Sequence, residues 1–148
     1  MPGPDLFFDS SALFAGIASP TGAARALLLL GETQQIRLII TEQVVAETER
    51  AVARKIPTAL SLVRQAILLS GVNILPDPPF AEVQACLSWM IDPTDVPILF
   101  AAMGARVDFL VTLNRKHFLE DATIAQKSRL RIGTPGDALT WMREQLGR

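Results

Sequence analysis

Asp108-Phe109-Leu110-Val111-Thr112-Leu113-Asn114-Arg115-Lys116-His117-Phe118 is the densest stretch of this chain. Residues 108–112 read as a strand, apolar and β-branched, ending on Thr112. Polar residues follow at once. Working towards the N-terminus, residues 96–104 read as a helix, capped by the turn Asp92-Pro93-Thr94-Asp95. Residues 80–90 read as helix and 72–75 as a strand closed by Pro76-Asp77-Pro78-Pro79. A helix over 57–70 opens with Pro57 at its first position and stops at Gly71. Residues 37–40 read as a strand. Thr41 then caps a helix whose positive end carries Glu42. Residues 10–30 read as helix, broken at 19–22, and Leu6-Phe7-Phe8 is a first strand ending at Asp9. Towards the C-terminus, residues 130–132 form a short fifth strand, and Thr134-Pro135 opens the last helix. Strand alternating with helix predicts an α/β fold, a three-layer α/β/α sandwich with a mostly parallel five-stranded sheet. The length predicts a single domain over residues 1–148.

Composition narrows the function. The chain has 148 residues, 49% of them hydrophobic, with mean hydropathy +0.30. That implies a sheet buried on both faces, or an apolar patch used for association. No apolar run reaches the roughly 18 residues of a membrane span. Asp9 interrupts the apolar N-terminal region and the first basic residue is Arg25, so a secretory leader is not expected. Cys86 is the only cysteine, which excludes an internal disulfide and points to a reducing cytoplasm. A net charge of −1 argues against a protein built to coat nucleic acid.

Parallel sheets bind ligands outside the carboxyl ends of their strands, where strand order reverses. The polar residues there are Asp9 after the first strand, Thr41 to Glu47 after the second, and Thr112 and Asn114 after the fourth. Asp92 and Asp95 open the helix before the fourth strand. Each acid has an ordinary role by itself. Asp9 can cap a helix, Glu47 can pair along one, Asp95 can favour a helix's first turn and Asp92 can cap a turn. Together they are costly, because clustered carboxylates repel unless something cationic neutralises them. Oxygen ligands select Mg²⁺, Mn²⁺ or Ca²⁺, and one Cys with one His does not make a usual zinc site. Such a centre suits phosphate chemistry.

Phe8-Asp9-Ser10-Ser11, the helical Val45-Ala46-Glu47, Asp92-Pro93-Thr94-Asp95 with Ile98-Leu99-Phe100-Ala101-Ala102, the stretch 109–118 and Ile132-Gly133-Thr134-Pro135-Gly136-Asp137 together resemble the PIN-domain family of metal-dependent ribonucleases. The resemblance spans nearly the whole chain, closest to toxin components of toxin–antitoxin pairs. It implies that Asp9, Glu47 and Asp95 hold Mg²⁺ or Mn²⁺ and serve phosphodiester cleavage. Asn114 stands where many members carry a fourth acid and adds no charge. Thr112 and Ser11 would hold the acids or their waters, and Leu113 replaces a small residue. Arg115 and Lys116, with His117, Lys127, Arg129 and Arg131, would form a basic lip for RNA phosphates. His117 itself is read as lying beyond the chemistry, and Trp89 and Trp141 as core or interface. The family also implies an RNA substrate, a small antitoxin partner and a homodimer.

Other classes stay open. Thr112 and Lys116 invite comparison with a phosphoreceiver module, which would use Asp77, although Asp9 lacks the acidic neighbour that fold expects. A phosphatase with Asp9 as nucleophile needs a second acid where Ser11 stands. A catalytically degenerate PIN-like binding protein is a further alternative.

Overall fold

A computed structural model describes residues 3–90 and 92–146. Five strands form one sheet: β1 (Asp5–Phe8), β2 (Arg37–Thr41), β3 (Asn73–Leu75), β4 (Phe109–Val111) and β5 (Ile132–Gly133). Their order is β3-β2-β1-β4-β5 and every pairing is parallel. The chain steps outward from β1 to β3, then returns to lay β4 on the other side of β1. The reversal falls between β1 and β4, so their carboxyl ends flank the crevice where such sheets bind ligands.

Helices α1 (Ser10–Ala18), α2 (Ala23–Glu32), α3 (Glu42–Lys55) and α4 (Leu60–Leu69) pack on one another, and α8 (Pro135–Leu146) joins them against α2. Helices α5 (Phe80–Val83), α6 (Val96–Ala105) and α7 (Ala122–Ser128) form a second group. Right-handed crossovers put connections made before and after a reversal on opposite faces, which gives the three layers. Leu6, Phe7 and Phe8 of β1 and Leu110 and Val111 of β4 are all buried. These strands are covered on both faces, hence continuous apolar runs without alternation. Trp141 packs on Phe109 with ring centroids 5.7 Å apart, and both it and Trp89 lie against the core. Among the described residues no single helix is long and apolar enough to cross a membrane, and the apolar pair α1 and α2 meets at 90°.

The structure departs from the sequence expectation in four places. The helix over 57–70 begins as a 3₁₀ turn, Pro57–Ala59, and that over 80–90 runs as α5 and then a 3₁₀ segment, Gln84–Trp89. The fifth strand starts at Ile132 rather than 130. Arg129 adopts a left-handed conformation (φ 60°) and the Leu130 N–H donates to Ser128 Oγ, so the ladder begins late. Helix α7 is new. Asp121 caps it, accepting the Thr123 N–H at 3.0 Å, and its Ile124 is buried.

Candidate active site

Asp9 follows β1 directly and its N–H donates to Val111 O of β4 at 3.1 Å. It is 4% exposed. Its Oδ1 accepts from the Ala12 N–H at 2.9 Å, capping α1, and from Ser11 Oγ at 2.6 Å. Its Oδ2 accepts from the Thr112 hydroxyl, supplied by the end of β4. Each hydroxyl is itself oriented from behind, Ser11 Oγ by the Leu113 N–H and Thr112 Oγ1 by the Asn114 N–H, both at 2.9 Å. A carboxylate oxygen has two lone-pair sites. Oδ1 is filled and Oδ2 keeps one, so Asp9 can offer a single oxygen to a ligand. Burial pushes its carboxyl above the ordinary value, and the nearby Glu47 charge adds to this, while the donors from Ser11, Thr112 and Ala12 pull it back.

Glu47 lies one turn into α3 beyond Gln43, whose amide donates to Thr94 O at 2.8 Å and reaches Glu47 Oε2 at 3.4 Å. Gln43 thereby ties α3 to the turn that carries Asp92 and Asp95. The Glu47 charge bears on both Asp9 and Asp95. Asp92 accepts the Thr94 N–H and hydroxyl at 2.9 and 2.7 Å, and these bonds hold it below the usual carboxylate value. Asp95 is lifted to about 6, first by burial and further by Asp92 and Glu47, with His117 opposing.

His117 is drawn into the site, although the sequence reading put it beyond the chemistry. A π-type turn, Arg115–Leu119, follows β4 and folds the imidazole back, with Nδ1 2.5 Å from Asp95 Oδ2. The two atoms lie at ion-pair distance, and no other group donates to the buried Asp95 Oδ2. Asn114 Nδ2 lies 2.9 Å from the same Nδ1, and Asn114 Oδ1 accepts the His117 N–H at 3.3 Å. Asp92, Asp95 and His117 each present a ligand atom, all within 4.8 Å of one another.

The PIN-domain family model matches residues 5–116, most of the chain. The chain belongs to the PIN-domain family. No curated protein sequence matches it. Among solved structures, this PIN domain is similar to PAE2754 from Pyrobaculum aerophilum, at TM-score 0.61 and 18% identity over 95% of this chain and 90% of that one. It is similar to VapBC2 from Rickettsia felis, solved bound to a DNA fragment from its promoter, at TM-score 0.61 and 18% identity over 88% and 98%. It is also similar to FitAcB from Neisseria gonorrhoeae, at TM-score 0.57 and 17% identity over 88% and 97%. At these identities the likeness is one of fold. The matched segment ends within the turn after β4, and β5 and α8 beyond it complete the sheet and its cover.

The basic residues of the PIN domain do not form one lip. Arg115 and Lys116 are exposed beside the acids. Arg131 instead precedes β5, and in a parallel sheet that is the opposite edge. Its guanidinium donates to Asp108 O at 3.1 Å and lies 4.8 Å over the Trp141 ring. Arg129 shares a cavity with Arg131 and Asp108 there. Arg25, which the sequence reading passed over, stands with Arg115 in a cavity of about 380 Å³ that Leu113, Thr134 and Gly136 also line. Among the described residues neither guanidinium has a carboxylate within ion-pair distance. Asp77 caps α3, accepting the Gln43 N–H at 2.9 Å.

Proposed function

We propose that this PIN domain, residues 1–148, is a Mg²⁺- or Mn²⁺-dependent endoribonuclease, the toxin of a toxin–antitoxin pair. The observation that carries the reading is the carboxylate set at the reversal between β1 and β4. Acids from three segments act on one another there, and Asp95 is raised to about 6 instead of being neutralised by an arginine or lysine. An oxygen-rich set with a buried oxygen lacking a donor other than His117 fits a hard divalent cation. Asp9, Glu47 and Asp95 would hold it. When bound, such a cation lowers the pKa of a water and offsets charge on the leaving oxygen.

The chain's own residues supply the positioning. Ser11 and Thr112 fix Asp9 so that one Oδ2 lone pair faces outward. Asn114, without charge, braces the turn that carries His117. Arg115 and Lys116 meet the RNA backbone at the same edge, with Arg25 across the shared cavity. Exposed Leu62, Leu68 and Leu69 on α4 and Ile74 on β3 offer an apolar surface for a second copy or for a small antitoxin. The reading places the protein in the cytoplasm.

The test is cleavage of single-stranded RNA in Mn²⁺, with calorimetry of metal binding on the same samples. Wild type cuts RNA and binds metal, and Asp9→Asn loses the cleavage. A wild-type protein that binds no divalent metal and leaves RNA intact would instead be a PIN-shaped binding module.

A further inference from the structure

We propose that His117 supplies a nitrogen ligand to this divalent-cation centre, beside Asp92 and Asp95, and so biases the centre towards Mn²⁺ over Mg²⁺. The inference rests on the metal-dependent reading above and adds a ligand that an all-carboxylate centre lacks.

The geometry around Nδ1 carries it. Asn114 Oδ1 accepts the His117 N–H, which turns the Asn114 amide nitrogen towards the ring. Nδ1 thus has the Asn114 amide on one side and the Asp95 carboxylate on the other. It lies 2.5 Å from Asp95 Oδ2, to which no other group donates. A contact that short holds a proton in the metal-free state, and a divalent cation binding there displaces it and takes both atoms as ligands. Asp92, held in place by Thr94, offers a third ligand atom within 4.8 Å of the other two. A single-turn π segment inserted after β4 is what brings the ring there, and such turns cluster at functional sites. A cation at this cluster would take one ligand atom from each of the three residues.

Imidazole is a softer ligand than carboxylate, and exchanging an oxygen for a nitrogen favours Mn²⁺ relative to Mg²⁺. Coordination uses the Nδ1 lone pair, which Asn114 Nδ2 faces. Asn114 is thus a competitor for His117, and removing its amide frees the nitrogen.

The experiment loads the full-length protein with Mn²⁺ alone and reads electron spin-echo envelope modulation for ¹⁴N coupling. Calorimetry with Mn²⁺ and with Mg²⁺ and an RNA-cleavage assay run on the same preparations. Wild type shows ¹⁴N coupling, and His117→Gln loses it while its Mn²⁺ affinity falls about tenfold or more and its Mg²⁺ affinity changes less. Asn114→Asp, which keeps the acceptor for the His117 N–H and removes only the amide nitrogen, keeps the coupling and binds Mn²⁺ at least as tightly, which separates ligation from damage to the turn. Bound Mn²⁺ without ¹⁴N coupling, in a wild-type protein that still cuts RNA, overturns the ligand and leaves the nuclease standing. A wild-type protein that binds no Mn²⁺ overturns both.

Discussion

The two edges of the sheet treat their acids in opposite ways. At the amino edge Asp5 receives both nitrogens of the Arg37 fork, at 2.9 and 2.7 Å, and Asp108 accepts the Asp5 N–H at 2.8 Å. These acids close the starts of β1, β2 and β4. At the carboxyl edge Asp9, Glu47, Asp92 and Asp95 gather without an arginine or lysine partner among the described residues. The first arrangement is complete by itself. The second keeps negative charge in a partly buried place, which costs stability and is worth retaining where a cation is to be bound.

The comparison breaks most visibly at the carboxyl edge. Asp9→Asn should lower RNA cleavage by about a hundredfold or more, measured as initial rates in Mn²⁺, because it would remove a proposed cation ligand and keep the shape. Thr112→Val is expected to cost about 10- to 100-fold in the same assay, since it frees Asp9 from the hydroxyl that aims it. A cleavage rate equal to wild type in either variant would leave the carboxyl edge no different from the amino edge.

A pH titration sharpens the contrast. In metal-free buffer the Asp95 carboxyl titrates near 6 in the folded chain against 3.8 in the unfolded one. The folded state then holds a proton that the unfolded chain has already released. Stability from this group is full below about pH 4 and is lost as pH rises through about 6, a change of about 1–2 kcal/mol once solvent screening of a half-buried group is allowed for. Thermal melts in chelator should fall across that range, and Asp95→Asn should flatten them. A saturating divalent cation opposes the loss, by about 2.7 kcal/mol at a hundred times its Kd. The smallest effect lies at the amino edge. Arg37 is largely exposed, so Arg37→Ala should leave the urea-unfolding midpoint nearly unmoved and cleavage within about twofold.

Much of this arrangement was legible in the residues. Apolar runs that end at Asp9 and Thr112 mark strand ends, and Thr41 marks the start of α3, because strand and cap chemistry are local. His117 was not legible, because its approach to Asp95 depends on a turn of unusual width across 22 positions, and no periodicity encodes that. Arg131 was misplaced for a related reason. A strand set over 130–132 put it inside the ladder, whereas a left-handed Arg129 delays the strand and leaves Arg131 at the far edge. Helix α7 escaped notice because seven residues with one deeply buried apolar side chain give too short a pattern to read.

Asp9 caps α1 and, in the proposed function, would also be a metal ligand. Asparagine caps a helix as well as aspartate does. One substitution can therefore silence the chemistry while the α1 cap and the sheet around it persist. In an evolving lineage, catalysis at this edge is easily shed and the scaffold is not. A silenced copy would keep its outer surfaces and go on occupying whatever partner binds the active one.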